Sequence, residues 1–433
     1  MNPARKLGLL LAYQRARGLD RLHDRSPLEA IQRRWLRRLR RFVALRSPFY
    51  APYAAAPWSD WPVLEKAAWM EHFDTINTVG ARLTEVSTIA LEAERTRDFS
   101  KRWGHYTVGL STGTSGNRGL FLASPVECSA WAGTLLGKLL RDGFFGRERI
   151  ALVLRAGATL YEAIAAFRLE FRFFDQSAPW DALVRGLSRF APTILVAPAS
   201  ALRLLAGSSL PLEPRRVISV AEVLDPLDRT HIERRFRVQV EQIYQATEGL
   251  LGVSCERGTV HLNEPYVLVE PEWQDGERTR FVPVITDLRR RTQPVIRYRL
   301  NDVLQVAAER CLCGRASLAL AAITGRTDDV LWLEGSGGAV PVFPDLLARA
   351  IVTALPEIAD YRLQELSPGH WSLAVSPIVQ PDAEDRLRGA VTALAARLGA
   401  APARLTVTKL PPERERGLSK QRRICGGGQK CGS

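Results

Sequence analysis

The sequence predicts an α/β protein with a large N-terminal domain, built on mainly parallel sheets, and a small α+β C-terminal domain. Residues 149–246 alternate buried-strand patterns with helical ones, which favours a parallel sheet covered by helices. From about residue 259, short β segments follow one another without a long helix, which favours an antiparallel, barrel-like layer. The chain has 433 residues, too many for one compact domain.

The elements follow in order along the chain. Residues 1 to about 75 have a helical pattern with Arg-rich polar faces and a proline-rich connector. A helix is predicted over 128–144, and then a buried strand that begins at Arg149 and places Ile150, Leu152 and Leu154 on one face. Later strands are predicted at 193–197, 216–222 and 238–246, with helical segments between them.

The segment 325–338, GRTDDVLWLEGSGG, indicates a domain boundary. We therefore predict an N-terminal domain over 1–325, with a helical extension at its start, and a C-terminal domain over 326–433. The second unit alternates helices and strands and has the length of a small domain. Its Gly-rich end is predicted to be disordered.

The formal charge of +14 comes mostly from Arg, since the chain has only seven Lys. The Arg residues are scattered apart from a cluster at Arg33–Arg41, so an anionic substrate or an Arg-rich composition explains the charge, and we expect no nucleic-acid partner. The N-terminal apolar run is too short to span a membrane, and six unevenly spaced Cys do not form a disulfide framework. We expect a cytoplasmic protein with reduced cysteines, no membrane partner, and a monomeric or homodimeric state.

The most informative stretch reads LSTGTSGNRG, from Leu110 to Gly119. Its glycines allow backbone N–H groups to turn toward an anion, and its hydroxyls can donate to phosphate oxygens. An ordinary Gly/Ser linker is the alternative, and it stays open on this stretch alone.

Three further segments complete a set suited to a nucleotide. YQATEG, at Tyr244–Gly249, ends a predicted strand with Thr247 and with Glu248, a carboxylate suited to Mg²⁺ beside phosphate. Asp302 ends VIRYRLND, where a ribose diol can donate to it. Arg326, in ITGRTDD, adds a second ribose or phosphate contact.

In order and spacing these motifs resemble the adenylate-forming (acyl-CoA synthetase-type) superfamily, and within it the phenylacetate–CoA ligase and coenzyme F-390 synthetase-like branch. The branch markers are YxATEG, PVIRYRxxD (Pro294–Asp302), CxCGR (Cys311–Arg315), GRxDD and the Phe343–Pro344 pair. The resemblance covers residues 100 to 424. It implies ATP and Mg²⁺ as cofactors and coenzyme A as a co-substrate.

The resemblance also implies roles for individual residues. Glu222 matches an acidic residue near the adenine, Tyr244 lies along the adenine, Thr247 near the α-phosphate and Glu248 on Mg²⁺; Asp302 and Arg326 match the ribose contacts, and Asp328 or Asp329 the hinge between two half-reactions. The loop that grips the β- and γ-phosphates corresponds to the following residues: Ser111, Thr112, Gly113, Thr114, Ser115 and Gly116.

Lys420, in ERERGLSKQRR, matches the mobile lysine that stabilises the transition state between carboxylate and ATP. A solvated tail residue is the alternative. The sequence departs from the family in its phosphate loop, where Asn117 and Arg118 stand where related loops often carry a Lys.

Cys255, His261, Cys311 and Cys313 form a second set, as C-x5-H and C-x-C on β-like segments. Three thiolates and one imidazole satisfy tetrahedral Zn²⁺ in a closed structural site. Ordinary reduced cysteines and a surface His are the alternative.

The sequence therefore predicts ATP-dependent adenylation of a carboxylic acid, with an aromatic acid favoured, and release of pyrophosphate. Transfer of the acyl group to a thiol such as coenzyme A follows. An adenylyltransferase that leaves AMP on a hydroxyl and a non-catalytic nucleotide-binding homologue are the alternatives. The sequence does not identify the acid, the final acceptor or the role of the Cys/Gly-rich tail.

Overall fold

A computed structural model describes residues 3–110, 119–140, 143, 148–154, 169–377, 381–410 and 422–426. The predicted phosphate-loop residues Ser111–Gly116, together with Asn117 and Arg118, and the predicted catalytic residue Lys420 lie outside these ranges.

The helices have the following bounds: α1 Pro3–Leu19, α2 Arg25–Arg46, α3 Lys66–Glu71, α4 Phe73–Ile76, α5 Leu83–Thr96, α6 Pro125–Leu139, α7 Trp180–Phe190, α8 Ala199–Ala206, α9 Pro226–Phe236, α10 Pro344–Ala354 and α11 Pro381–Arg397. Short 3-10 turns cover Ala51–Tyr53, Trp58–Asp60 and Thr327–Asp329.

The strands have the following bounds: β1 Arg102–Trp103, β2 Tyr106–Leu110, β3 Leu120–Ala123, β4 Arg149–Leu154, β5 Glu170–Asp175, β6 Ile194–Ala197, β7 Arg216–Val220, β8 Val240–Ala246, β9 Gly249–Ser254, β10 Val260–Leu262, β11 Val267–Trp273, β12 Arg280–Asp287, β13 Tyr298–Arg299, β14 Asp302–Val306, β15 Ala319–Arg326, β16 Leu331–Gly335, β17 Gly338–Val342, β18 Asp360–Ser367, β19 His370–Ser376, β20 Arg404–Lys409 and β21 Ile424–Cys425.

One large sheet joins parallel and antiparallel strands in the part of the chain that the structure describes. Its order is β11-β12-β14-β15-β10-β9-β8-β7-β6-β4-β5, with β13 also paired to β12. The strands from β5 to β8 run parallel, and β9 reverses direction beside β8. The predicted α/β fold class is confirmed. The antiparallel segment, predicted as a barrel-like layer, continues the parallel sheet, because the short turn after β8 leads directly into β9.

Residue alternation in the parallel strands explains how helices cover both faces. In β4, Ile150 and Leu152 pack in the core under α6, while Ala151 and Val153 pack in the core under α7, α8 and α9. The predicted shared face of Ile150 and Leu152 is confirmed. Both faces of the central parallel strands β4, β6 and β7 are therefore buried, and the ends of these strands are the edges available for a site.

Helix α1 lies directly against α6, which follows β3. A Cβ at Gly133 would stand 2.2 Å from the carbonyl oxygen of Leu9, and one at Gly137 would stand 2.7 Å from that of Tyr13. Only glycine permits so close an approach of the two backbones. Helix α6 itself begins with a capping box, in which Ser124 and Glu127 exchange hydrogen bonds with each other's backbone, a device that contributes about 1 kcal/mol.

The C-terminal region has a sheet and a hydrophobic core of its own. The strand order is β20-β19-β18-β21, and α10 and α11 pack on this sheet around Tyr361, Trp371 and Leu387. Along the chain, β15 is the last strand of the large sheet, and it ends at Arg326, next to the predicted boundary between residues 325 and 326. That boundary stays a prediction.

Four cysteines are free among the described residues, namely Cys128, Cys255, Cys311 and Cys313. Cys425 is disulfide-bonded. The expectation of fully reduced cysteines is therefore wrong for Cys425, whose place in β21 the sequence pattern did not indicate.

Candidate active site and metal centre

The first feature of the site is a buried tyrosine between two strand ends. Tyr244, in β8, donates its hydroxyl to Oδ2 of Asp302 at 2.7 Å. Asp302 begins β14 and stands opposite Arg326 in the register of β15. Burial, and then the Asp302 carboxylate, hold the pKa of Tyr244 well above its usual range, so the phenol stays neutral and donates. The structure thus brings three predicted residues together from three segments.

Glu248 occupies the turn between β8 and β9, and its side chain is buried. Burial, and then the carboxylate of Glu248, hold the pKa of Tyr298 well above its usual range, and a hydrogen bond between the two side chains adds to this. Lys66, at the start of α3, also lies in the field of Glu248. Burial lowers the pKa of Lys66, Glu248 raises it and Arg326 lowers it, with a net decrease. The sequence had not indicated Lys66, although the scarcity of Lys was a usable signal.

Arg290 holds the turn at Thr247 and Glu248 through hydrogen bonds. Its guanidinium donates to the carbonyl oxygens of Thr247 at 2.9 Å and Glu248 at 3.2 Å, and to Oε1 of Gln293 at 3.0 Å. Gln293 in turn donates to the carbonyl of Leu120 and accepts from the backbone N–H of Leu122. Gln293 therefore connects β3, the strand after the predicted phosphate loop, to Arg290, which holds the turn at Thr247 and Glu248.

The two ends of the predicted loop are adjacent. Leu110 at the end of β2 pairs with Leu120 at the start of β3 in an antiparallel ladder. The described residues on either side of the predicted loop are therefore neighbours in one antiparallel pair of strands.

Glu222, predicted near the adenine, follows β7 on the edge of the sheet where β8 also ends. Its carboxylate accepts hydrogen bonds from the backbone N–H of Ser200 at 2.9 Å and from the Ser200 hydroxyl at 3.1 Å. Since β7 and β8 are parallel neighbours, Glu222 and the turn at Thr247 lie on the same edge.

The predicted hinge residues form a short 3-10 turn after Arg326. Asp329 is buried; its Oδ2 accepts from the backbone N–H of Arg326 at 3.3 Å, and its Oδ1 pairs with Arg422. Gly325 before this turn has φ +126°, a conformation that favours glycine, and a Cβ there would stand 3.3 Å from Cγ of Pro344. Arg422, two residues after Lys420, is thus tied to the hinge.

Arg423 is at the centre of a buried ion-pair network that sequence reasoning missed. Its guanidinium contacts Asp228 at 2.8 Å and Asp360 at 2.9 Å, and Asp225 lies 3.7 Å away. Arg203 shares Asp228 at 2.9 Å. Asp225 and Asp228 lie at α9, and Asp360 begins β18, so this network joins the large sheet's helices to the C-terminal sheet.

The second candidate site brings the four predicted metal ligands together. The ligand atoms of Cys255, His261, Cys311 and Cys313 all lie within 4.8 Å of one another. The Sγ atoms of Cys255 and Cys311 are 3.8 Å apart, and a tetrahedral centre with Zn–S bonds of about 2.3 Å holds its sulfurs about 3.8 Å apart. The donor set and its spacing therefore fit Zn²⁺.

The orientation of His261 also suits a ligand. Its Nδ1 lies 2.9 Å from the carbonyl oxygen of Ser317, which makes Nδ1 the protonated donor. Its Nε2 is then free to face the sulfurs and lies 3.2 Å from Sγ of Cys313. A backbone carbonyl that fixes the tautomer in this way is common behind zinc-bound histidines.

Known proteins are similar to this chain in fold and, over part of its length, in sequence. No family model matches the chain. Among solved structures, the fold matches 2-hydroxyisobutyryl-CoA ligase in its postadenylation state with 2-HIB-AMP, with a TM-score of 0.68, 19% identity, and coverage of 92% of this chain and 89% of that one. It also matches the anthranilate-CoA ligase AuaEII in complex with anthranoyl-AMP, with a TM-score of 0.51, 12% identity, and coverage of 71% and 65%. The fold is that of the adenylate-forming ligases.

A particular relative emerges from the sequence comparison. The chain is 31% identical over 145 residues to the phenylacetate–coenzyme A ligase of Thermus thermophilus, and the alignment spans 31% of this chain and 31% of that protein. The predicted resemblance to phenylacetate–CoA ligases is thereby confirmed over these 145 residues, and the resemblance to adenylate-forming ligases is confirmed at the level of the fold. Within the described residues, no helix combines the length and apolar character needed to cross a membrane.

Proposed function

We propose that this protein is an acid–thiol ligase that adenylates a carboxylic acid with ATP and then transfers the acyl group to coenzyme A. The observation that carries the proposal is the contact between Tyr244 and Asp302 opposite Arg326, at the edge of the sheet that also holds Glu248. This constellation lies in a fold shared with ligases whose structures hold acyl-AMP.

In the first half-reaction, a carboxylate oxygen attacks the α-phosphorus of ATP and pyrophosphate leaves. Negative charge builds between two anionic reactants, and we assign its stabilisation to Lys420. Tyr244 packs along the adenine, and its hydrogen bond keeps Asp302 aimed at the ribose. Arg326 adds a cation at the same ribose. Arg290 holds the turn, so Thr247 and Glu248 stay in place beside the α-phosphate.

Glu248 is the residue that we propose would hold Mg²⁺, and the ion would supply positive charge against the phosphates. The role of Ser111–Gly116 is to bind the β- and γ-phosphates. We assign Glu222 to the adenine pocket and Asp328–Asp329 to the hinge between the domains 1–325 and 326–433.

For the acid, we propose an aromatic carboxylate as the first class to test, because the relative identified by sequence is a phenylacetate–CoA ligase. A small aliphatic hydroxy acid is the second class, because the fold also matches that of a 2-hydroxyisobutyryl-CoA ligase.

We further propose that Cys255, His261, Cys311 and Cys313 hold a structural Zn²⁺. All four positions of a tetrahedral ion would then be filled by protein, which leaves none for a reacting water. The ion would tie β10 to the segment before β15, at a distance from the nucleotide residues along the same sheet.

The experiment is incubation of the purified protein with ATP, Mg²⁺, coenzyme A and a panel of aromatic and aliphatic acids, with separation of products by mass. An acyl-CoA thioester with AMP and pyrophosphate supports the proposal. A stable AMP ester of a hydroxyl acceptor without thioester favours an adenylyltransferase. ATP binding without any turnover favours a non-catalytic homologue and contradicts the proposal.

A further inference from the structure

The positive charge of this chain is concentrated at its start. Its first 46 residues contain thirteen Arg and Lys against three Asp and Glu, a net formal charge of +10 in a chain whose total is +14. These residues form α1 and α2, whose outward faces carry exposed arginines. The catalytic proposal uses none of this charge.

Part of this charge is gathered around a single indole ring. The guanidinium carbons of Arg15, Arg38 and Arg289 lie 5.7, 5.6 and 4.6 Å from the ring centroid of Trp35. Arg291 adds a fourth guanidinium, 5.2 Å from the ring of the neighbouring Phe42. We call Arg15, Arg38, Arg289 and Arg291 the four-arginine cluster.

Mutual repulsion acts within the cluster. Burial lowers the pKa of Arg289, Tyr266 and Asp287 raise it, and the charge of Arg15 lowers it, with a net decrease. Burial likewise lowers the pKa of Arg291; Asp287 and Glu127 raise it, and Arg289 and Arg38 lower it, again with a net decrease. The aromatic rings offset only part of the free-energy cost of burying these guanidinium groups close together, since a cation–π contact contributes about 0.5–2 kcal/mol.

In the part of the chain that the structure describes, no carboxylate forms an ion pair with the cluster, although Asp287 and Glu127 are near enough to raise the pKa of Arg291. Its nearest carboxylates serve backbone amides: Asp287 accepts from Arg289 N and Arg290 N, and Glu127 accepts from Arg291 N and Thr292 N. The Nη1 atom of Arg291 is buried without an acceptor. A buried guanidinium N–H without an acceptor is costly, and an anion would relieve that cost.

We propose that the four-arginine cluster is a binding site for a phosphate monoester, carried either by a soluble nucleotide or by an anionic lipid headgroup. Arginine forks match phosphate oxygens in bidentate pairs. Arg15 and Arg38 are exposed and leave the site open to solvent, while Arg289 and Arg291 are half-buried and form its floor.

The surroundings fit either source of the phosphate. Leu11 on α1 is 60% exposed and Leu45 on α2 is 83% exposed, so apolar side chains accompany the arginines as they do on surfaces that lie on membranes. Arg289 and Arg291 also flank Arg290, which holds the carbonyls of Thr247 and Glu248. A phosphate bound to the cluster would therefore lie next to Arg290, the residue that holds the turn of the candidate active site.

The test is direct binding, so it does not depend on adenylation. Adenosine 3′,5′-bisphosphate is titrated calorimetrically into the full chain, and vesicles of phosphatidic acid and phosphatidylcholine are used for co-sedimentation, with phosphatidylcholine alone as a blank. The variant is R289Q/R291Q, and the matched control is R397Q/R404Q, which removes two exposed arginines from the C-terminal region.

We expect the wild type and R397Q/R404Q to bind one of the two probes at least tenfold more tightly than R289Q/R291Q does. Without anion, R289Q/R291Q unfolds at the same or a higher temperature than the wild type, because repulsion is removed. If R289Q/R291Q fails to fold, R15Q/R38Q takes its place, since both of these side chains are exposed. Wild-type binding of neither probe, or equal binding by the cluster variant, overturns the proposal.

Discussion

Replacement of Arg423 by methionine removes the cation that joins Asp228, Asp360 and Asp225. The side chains of Arg423, Asp228 and Asp360 are only 12%, 7% and 4% exposed, so water cannot compensate the carboxylates that remain. Arg203 still neutralises Asp228 at 2.9 Å. Asp225 loses its ion pair with Arg423, and Asp360 loses one of the cations beside it.

Removing one partner of a buried ion pair costs about 3–5 kcal/mol, because an uncompensated charge stays buried. We therefore expect R423M to lower the free energy of unfolding of the C-terminal unit by about 4 kcal/mol. Methionine retains much of the arginine stem's volume, so the loss reports charge more than packing.

The matched control is R386M. Arg386 pairs with Glu357 at 2.7 Å, but the two side chains are 47% and 55% exposed, and an exposed pair is worth about 0–1 kcal/mol. The assay is urea denaturation followed by circular dichroism and by proteolysis of the C-terminal unit. Equal stability of R423M and R386M would refute the reasoning. Addition of D360N and D225N to R423M should recover stability, since it removes the unpaired charges.

The pH dependence of the free energy of unfolding also tests this network. Burial raises the pKa of Asp225 in the wild type even though Arg423 lowers it, so R423M raises that pKa further. A carboxyl whose folded pKa is raised contributes stability below its unfolded pKa, about 3.9, and loses that contribution as pH rises through the folded pKa. The deficit of R423M is therefore smallest in acid and largest at neutral pH.

Three further predictions concern the other parts of the site. Y244F removes the hydrogen bond to Asp302 and should weaken ATP binding, measured by calorimetry beside Y106F, by about tenfold to 150-fold, the effect of a lost bond to a charged group. Unchanged affinity would remove Tyr244 from the nucleotide site. Burial raises the pKa of Glu127, but hydrogen bonds from Ser124, Thr292 and backbone amides lower it, with a net decrease. The carboxylate therefore contributes stability above pH about 4.5, and this contribution is lost as pH falls through the folded pKa. E127Q should reduce the loss of thermal stability in acid, and an unchanged loss would contradict the assignment. Metal analysis should find about one Zn²⁺ per chain in the wild type and in C128S but little in C255S/C313S, and a stoichiometry near zero in the wild type would refute the centre.

The sequence was sufficient where function depends on strand ends. Tyr244, Asp302 and Arg326 each belong to a recognisable motif, and the pairing of the strands brings these three residues together. Cys255 directly follows β9 and His261 lies in β10, whereas Cys311 and Cys313 lie in the segment before β15, the strand that pairs with β10. Periodicity also indicated which face of β4 each apolar side chain takes.

The sequence was insufficient where a contact joins distant segments without a motif. Gln293 reaches Leu120 across 173 positions, and Arg423 reaches Asp228 across 195. An arginine that is fully buried among aspartates has the same letter as one on a solvated helix, and only the fold distinguishes the two. For the same reason, the Arg-rich pattern of α2 did not reveal its contact with Arg289, which lies in a loop of the large sheet.

The central claim is acid-dependent adenylation that uses Lys420, and isotope exchange between pyrophosphate and ATP measures it most directly. The wild type and K409A, which removes a lysine from β20, should exchange label only when the acid substrate is present. K420A should bind ATP as the wild type does but exchange at least about a hundredfold more slowly, the size of effect expected when one charge-stabilising group is lost. Exchange by K420A at the wild-type rate, or absence of exchange with every acid in a wild-type protein that binds ATP, would contradict the account.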